Sequence, residues 1–289
     1  MGVISRAAQD ASIATHGAGY FFAKSVTFTL IYGIFVLLFM QSGIVFLKKK
    51  QSNHSQNWMF LITAVTFVLA TINEAALILE TSVYLESALV QDNTSSPIDN
   101  YNTALKLMIK PNIVFESVSI FQVIISDCII IWRASVLLQR QRLLIILPSF
   151  LLLCSAALDT LFLWNLSKYP EVGLNKLGDI LSSAIVAISL ATNVVTTTIV
   201  LIRFRTHKKE MTSALGAHRA TQVETVLALL IESGVLFGLL QSVAVLVFYL
   251  PPGEPESDTT RMYAYGAISA IYFGISAIYP TAVIVFERT

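Results

Sequence analysis

PNIVFESVSIFQVIISDCIIIWRASVLLQRQR, residues Pro111–Arg142, is the stretch that decides the fold. Ile113 to Leu138 reads as an apolar helix long enough to cross a bilayer, yet it carries Glu116, Gln122, Asp127 and Arg133. An ionised side chain in hydrocarbon costs about 2.5–3.5 kcal/mol even on the lenient insertion scale, so such residues turn toward other helices or a wet cavity. With each residue turning the helix by about 100°, Glu116, Ser119, Gln122, Ser126, Asp127 and Arg133 fall within roughly 140° of one another. Val114, Phe115, Val118, Phe121, Ile125, Cys128 and Ile129 take the opposite arc. A helix patterned this way belongs in the middle of a bundle.

Composition extends that reading to the whole chain. Of 289 residues 55 % are hydrophobic and 13 % charged, with a mean hydropathy of +0.70, well short of the quarter or so charged in soluble domains. The expected class is an all-α, polytopic membrane protein whose constant partners are membrane lipids. The net charge of +1 says nothing about partners, and no basic surface points to nucleic acid. Cys128 and Cys154 both fall inside apolar runs, where packed thiols are expected rather than a disulfide.

Apolar spans of about 20 residues or more occur at 26–47, 58–79, 113–138, 143–164, 178–202, 223–249 and 262–286. They predict a seven-transmembrane helix bundle over 25–286, an extracellular tail at 1–24 and a cytosolic end at 287–289. No charged leader with a short apolar core and a cleavage site precedes the first span. Basic residues set the orientation. Twelve of the 19 fall on one side (Lys48, Lys49, Lys50, Arg133, Arg140, Arg142, Arg203, Arg205, Lys208, Lys209, Arg219 and Arg288), which the positive-inside rule makes cytosolic. The N-terminus is then outside and the C-terminus cytosolic. Two glycosylation patterns, at Asn93 and Asn165, fall on the outer side, and a third at Asn53 on the inner. The outer connection from Glu80 to Asn112 is the longest, a solvated loop or a lid over the bundle mouth.

Polar positions recur at helical spacing in several spans. The seventh carries Tyr265, Ser269, Tyr272, Ser276 and Tyr279 on one face before Pro280, and Gly266, Ala270 and Gly274 on another, a spacing that lets helices approach closely. The fifth offers Ser182, Ser189, Asn193 and Thr196; the second Thr63, Thr66, Asn73 and Glu74; the sixth Thr225, Glu232 and Gln241. Helical rise of about 1.5 Å per residue puts Asp127, Asn193 and Glu232 near the midplane, with Arg133 roughly 9 Å to the cytosolic side. These four read as an inner polar layer, a switch network together with Tyr279 and Pro280. Glu74, Glu116 and Asp159 lie near the outer ends and read as an acidic vestibule for a cation or amine, with no Lys or Arg inside the spans to balance them. Tyr265 and Tyr272 join them as candidate ligand contacts. The opposing account is packing: acids wetted by headgroup water or neutral in a close-packed interior, and tyrosine hydroxyls satisfied between helices.

Several chemistries are excluded by residue placement. The seventh span has no lysine for a retinal Schiff base. The four histidines, His16, His54, His207 and His218, lie in the tail and loops, so neither an intramembrane zinc site nor a Ser-His-acid set can assemble. No phosphate-binding glycine loop is present. The chain is not expected to be an enzyme, and no cofactor or metal is implied. An ion or proton pathway through the same acids stays open, although no internal repeat marks a transporter. A membrane scaffold with a packed interior stays open as well.

Four blocks carry a resemblance: Ser126-Asp127 with Trp132-Arg133, Leu190-Ala191-Thr192-Asn193 with Thr196 and Thr197, Leu230-Ile231-Glu232-Ser233-Gly234, and Ile278-Tyr279-Pro280-Thr281. In this order the chain resembles a large group of orphan seven-span, receptor-like membrane proteins of basidiomycete (mushroom-forming) fungi. The resemblance implies a receptor-like topology; the chain is expected to reside in the plasma membrane or endomembranes and to sense a small or lipidic ligand, with a cytosolic signalling partner left unidentified. The chain lacks the third-helix cysteine, the acidic-Arg-Tyr triplet and the seventh-helix Asn-Pro of better known G-protein-coupled receptors, so G-protein coupling is not implied. The orientation has a direct test: expressed in eukaryotic cells, Asn93 is expected to carry a glycan and Asn53 none. The reverse pattern inverts the topology.

Overall fold

Inside hydrocarbon every backbone N–H and C=O must be bonded within its own segment, so long apolar runs fold as long helices. The computed structural model describes residues 2–48, 54–89, 97–137, 142–168, 176–215, 234–246 and 259–286. Seven α-helices fill them. They are α1 (Gly2–Lys48), α2 (His54–Leu89), α3 (Pro97–Leu137), α4 (Ile146–Lys168, entered through a 3-10 turn at Arg142–Ile145), α5 (Lys176–Leu215), α6 (Gly234–Leu246) and α7 (Thr259–Phe286). Five contain a stretch long and apolar enough to cross a membrane: Gly17–Ile44, Phe60–Ser87, Thr103–Trp132, Leu143–Lys168 and Ile180–Thr206. The apolar stretches described in α6 and α7, Gly234–Leu246 and Tyr263–Ile278, are shorter.

Contacts fix the directions of the helices. Along α1 and α2, Lys24 meets Glu80, Thr29 meets Glu74 and Phe46 meets Phe60, so the pair is antiparallel. Asn73 meets Ser119 and Tyr84 packs with Met108, which makes α3 antiparallel to α2. Asp127 meets Ser189 and Ala134 packs with Val200, so α5 runs parallel to α3; Ser189 with Gln241 and Thr197 with Gly234 reverse the direction again for α6. Tyr20 beside Gly266, Ile31 beside Gly274 and Phe35 with Ala277 align α7 parallel to α1. The end at which α1 begins is called the upper end below.

The bundle is polar inside and apolar outside. Asn73, Ser119, Gln122, Ser126, Asp127, Ser189, Asn193 and Gln241 are essentially inaccessible, whereas Leu47 is 83 % exposed, Leu143 80 % and Leu153 70 %. In water this would be an inverted protein, since large aliphatic side chains are ordinarily the buried ones. In lipid it is the low-energy arrangement, and the chain is a membrane-embedded helical bundle. Helix α3 is its centre: Phe115 and Ile129, on the arc opposite the acids, are buried too, and only Val114, Phe121 and Cys128 of that arc are exposed. Cys128 therefore faces the exterior rather than packing within.

The upper end departs from the sequence reading. Residues 80–89 and 97–112 are helix rather than loop or lid: α2 continues to Leu89 and α3 starts at Pro97, a residue suited to a helix's first turn. Pro111 sits inside α3, where it removes one backbone hydrogen bond without ending the helix. The extension is held by packing of Tyr84, Ala104 and Met108 against Phe21 of α1. Residues 2–24, read as a tail, continue α1 without a break, which carries Lys24 into the bundle.

The small-residue face of α7 lies against α1. A Cβ on Gly274 would stand 2.6 Å from Ile31 Cγ2, while one on Gly33 of α1 would meet nothing within 4 Å. Gly274→Ala is expected to destabilise by about 1–3 kcal/mol through overpacking. Gly33→Ala should be neutral or stabilising by up to about 1 kcal/mol, since alanine favours the helix. Thermal unfolding in nanodiscs checks the order; equal midpoints would contradict this packing of α1 on α7.

Candidate functional site

Because the acids cannot face lipid, the helices gather them into the interior at two levels. At the upper level Lys24 Nζ lies 3.6 Å from Glu80 Oε2, both groups nearly fully buried, and 4.1 Å from the centroid of the Phe115 ring. Glu116, the next residue on α3, is within electrostatic reach of Lys24 and of Glu80. Lys24 thus pairs with one carboxylate, lies within electrostatic reach of a second, and sits over an aromatic face, a cation–π position. Glu74 is held apart, its Oε1 accepting a 2.6 Å hydrogen bond from Thr29 Oγ1 between α1 and α2.

The second level lies about 16 Å further along α3, eleven residues at the helical rise. Ser189 donates to Asp127 Oδ2 at 2.9 Å, and Gln241 Nε2 donates to Ser189 Oγ at 2.9 Å. Asn193 Nδ2 reaches both Gln241 Oε1 and the carbonyl of Gly234 at 3.2 Å, and Thr197 donates to Asn193 Oδ1 at 3.4 Å. One line of hydrogen bonds thereby ties α3, α5 and α6. Gly234 allows it, because a side chain there would run into Thr197. A second cluster joins α2 to α3, where Asn73 Nδ2 donates to Ser119 Oγ at 2.8 Å and to Gln122 Oε1 at 3.3 Å.

Between the two levels is a cavity of about 30 Å³ lined by Glu116, Asp159, Ser182 and Tyr272 among Ile120, Val123, Phe162, Ile185, Val186 and Phe273. A water needs roughly 10–15 Å³ measured this way, whereas drug-sized ligands take roughly 300–1,000 Å³. The space suits a water or a small ion. Asp159 Oδ1 and Asp127 Oδ1 are buried without a hydrogen-bond partner. The Tyr272 hydroxyl lies beside Ser189 and Gln241 and within electrostatic reach of Asp127 and Asp159.

Of the residues predicted as ligand contacts, Glu116, Asp159 and Tyr272 come together at this cavity. Glu74 does not, and Tyr265 instead pairs with the Tyr20 ring, their centroids 6.3 Å apart. Of the switch residues, Asp127 and Asn193 belong to one network. Glu232 and Asn93 lie outside the described residues, as do the side chains of Arg133, Tyr279 and Pro280. Asn165 is 6 % exposed within α4, where a glycan has no room. The vestibule without a balancing cation needs correcting, because Lys24 supplies one. Hydropathy alone bounds the first span at residue 26 and the second at 79, which leaves Lys24 and Glu80 outside both. The aromatic run Tyr20-Phe21-Phe22 before Lys24 was the available signal.

Among the described residues no group of three or more His, Cys, Asp and Glu side chains converges to hold a metal ion. Comparisons with models of protein families, with curated proteins and with solved structures return no match.

The Lys24–Glu80 pair yields a stability test. Removing one member of a buried pair strands the other charge, a loss of about 3–5 kcal/mol, while replacing both with apolar residues is often neutral. Lys24→Met is expected to lower the unfolding midpoint sharply and Lys24→Met/Glu80→Leu to recover most of the loss. A double variant no better than the sum of the singles would contradict the pairing.

Proposed function

We propose that this chain is a receptor-like membrane protein with seven crossings, of the kind represented by the orphan basidiomycete group. Its upper end faces outward and takes a small or lipidic ligand, and its Asp127 network is the switch. The alternating helix directions, with α7 parallel to α1, support an odd number of crossings. The basic residues beyond the lower helix ends support the orientation.

One observation carries the sensing role. Among the described residues, every buried acidic or basic side chain (Lys24, Glu74, Glu80, Asp127 and Asp159) lies at the level of Asp127 or above it. Below, Ile130 and Phe237 pack with Leu240 and Ile275, and Ala134 and Val200 with Ile145, Ile199 and Phe204. Of the buried hydroxyls there, Thr66 bonds the carbonyl of Thr63 and Thr196 that of Thr192, while Thr281 Oγ1 has no partner. Among the described residues this polar column does not continue below, so it can register occupancy at its top and pass it on as a shift of α3, α5 and α6. Those residues offer no continuous route for an ion. A ligand moves such a bundle only through its differential affinity for two arrangements.

The series Glu116, Asp159, Asp127 is the feature that favours the other reading, an ion or proton pathway. The cavity beside Glu116 weighs against a solid scaffold. Purified protein in liposomes is expected to pass no pH-dependent current above that of empty liposomes, while a thermal-shift screen of small and lipidic compounds finds a stabilising ligand. A current abolished by Asp127→Asn would overturn the receptor reading in favour of the pathway.

A further inference from the structure

We propose that the cavity between α3, α4, α5 and α7 is a binding site for one desolvated monovalent cation of about the size of sodium. Asp159 and Tyr272 bind it, with Glu116 and Ser182 on the same wall. This goes beyond the receptor reading and stands or falls separately from it.

Charge balance comes first. At and above the level of Asp127 the interior holds Glu80, Glu116, Asp127 and Asp159, with Glu74 bonded to Thr29 at the α1–α2 contact. Lys24 is the one buried cation among the described residues, and it pairs with Glu80 within electrostatic reach of Glu116. Among the described side chains no positive group pairs with Asp159 or Asp127. An orphaned oxygen comes second. Asp159, 3 % exposed, lines the cavity with Oδ1 unbonded; Tyr272, 1 % exposed, lines it with its hydroxyl beside Ser189 and Gln241. A buried acceptor left without a partner is costly, and one on a small cavity that a second acid also lines marks a place for a guest. A cation can satisfy that oxygen and take the Tyr272 oxygen as a further ligand.

Size and ligand count narrow the guest. At about 30 Å³ the space excludes an organic amine. Calcium takes six to eight oxygens, commonly from several carboxylates, and no group of three acids is present among the described residues. A bound monovalent ion would tie α4, through Asp159, to α7, through Tyr272, directly above the Ser189–Gln241 hydrogen bond. It would thereby favour one packing of the switch helices.

The test is thermal unfolding of the full chain in nanodiscs, in sodium chloride against N-methylglucamine chloride at equal ionic strength and pH. The midpoint is expected to rise by roughly 3–5 °C for each tenfold increase in sodium above its dissociation constant. Asp159→Asn should abolish the rise, Tyr272→Phe should weaken it, and Glu86→Gln, at an exposed position of α2, should keep it. Equal midpoints in the two salts overturn the proposal, leaving water or a proton as the occupant. So does a rise that survives in Tyr272→Phe unchanged, a rise lost equally in Glu86→Gln, or calcium stabilising more than sodium. None of these outcomes bears on the liposome current, so a failed cation site leaves the receptor reading standing.

Discussion

Charge that lipid will not accept has to be compensated inside the bundle, and the arrangement of these helices follows from that constraint. Of the five buried acidic and basic side chains among the described residues, four have a polar partner on another helix. Lys24 draws Glu80 and the face of Phe115 toward α1; Thr29 serves Glu74; Ser189 serves Asp127 and is itself served by Gln241. Apolar packing alone would not select these contacts, because lipid tails and leucine side chains are equally good neighbours for a helix in a membrane. Polar complementarity and close approach at small residues do the selecting. The first sets α3 against α5 and α6; the second sets α7 against α1.

Much of this was legible in the chain. The wheel of α3 placed Ser119, Gln122, Ser126 and Asp127 on an inward face, and all four are buried. The Gly266, Ala270, Gly274 spacing foretold a tight helix contact, although not that its partner is α1. What the sequence concealed lies at the upper end. Hydropathy falls where Lys24, Glu80 and Lys110 appear, so a span drawn from hydropathy stops short of them. The backbone does not stop, because nothing there breaks a helix and because two opposite charges on adjacent helices cancel each other's cost. Pairing is a property of two segments 56 residues apart, and a single-segment reading cannot see it. The same limit applies to Asp159. Its burial was readable, but its convergence with Glu116 and Tyr272 depends on how α4 and α7 sit across α3.

The vertical distribution of polar groups links the fold to the proposed role. Among the described residues ionic and acidic groups occupy the upper half, a hydrogen-bonded line through Asp127, Ser189, Gln241 and Asn193 occupies the middle, and apolar side chains pack the lower half. A network of this kind has few alternative pairings, so a disturbance above it passes between discrete arrangements rather than dissipating. That behaviour is wanted in a sensor.

The claim beneath all of this is that the acids and amides face inward while the aliphatic side chains face lipid. Carbene footprinting from a bilayer-dissolved diazirine, read residue by residue by mass spectrometry, tests it most directly. The account predicts heavy labelling at Leu30, Phe121, Leu153 and Leu236 and little at Ser119, Gln122 and Asp127, even though carboxylates trap such reagents readily. Labelling of Asp127 or Gln122 as strong as that of Phe121 would contradict it.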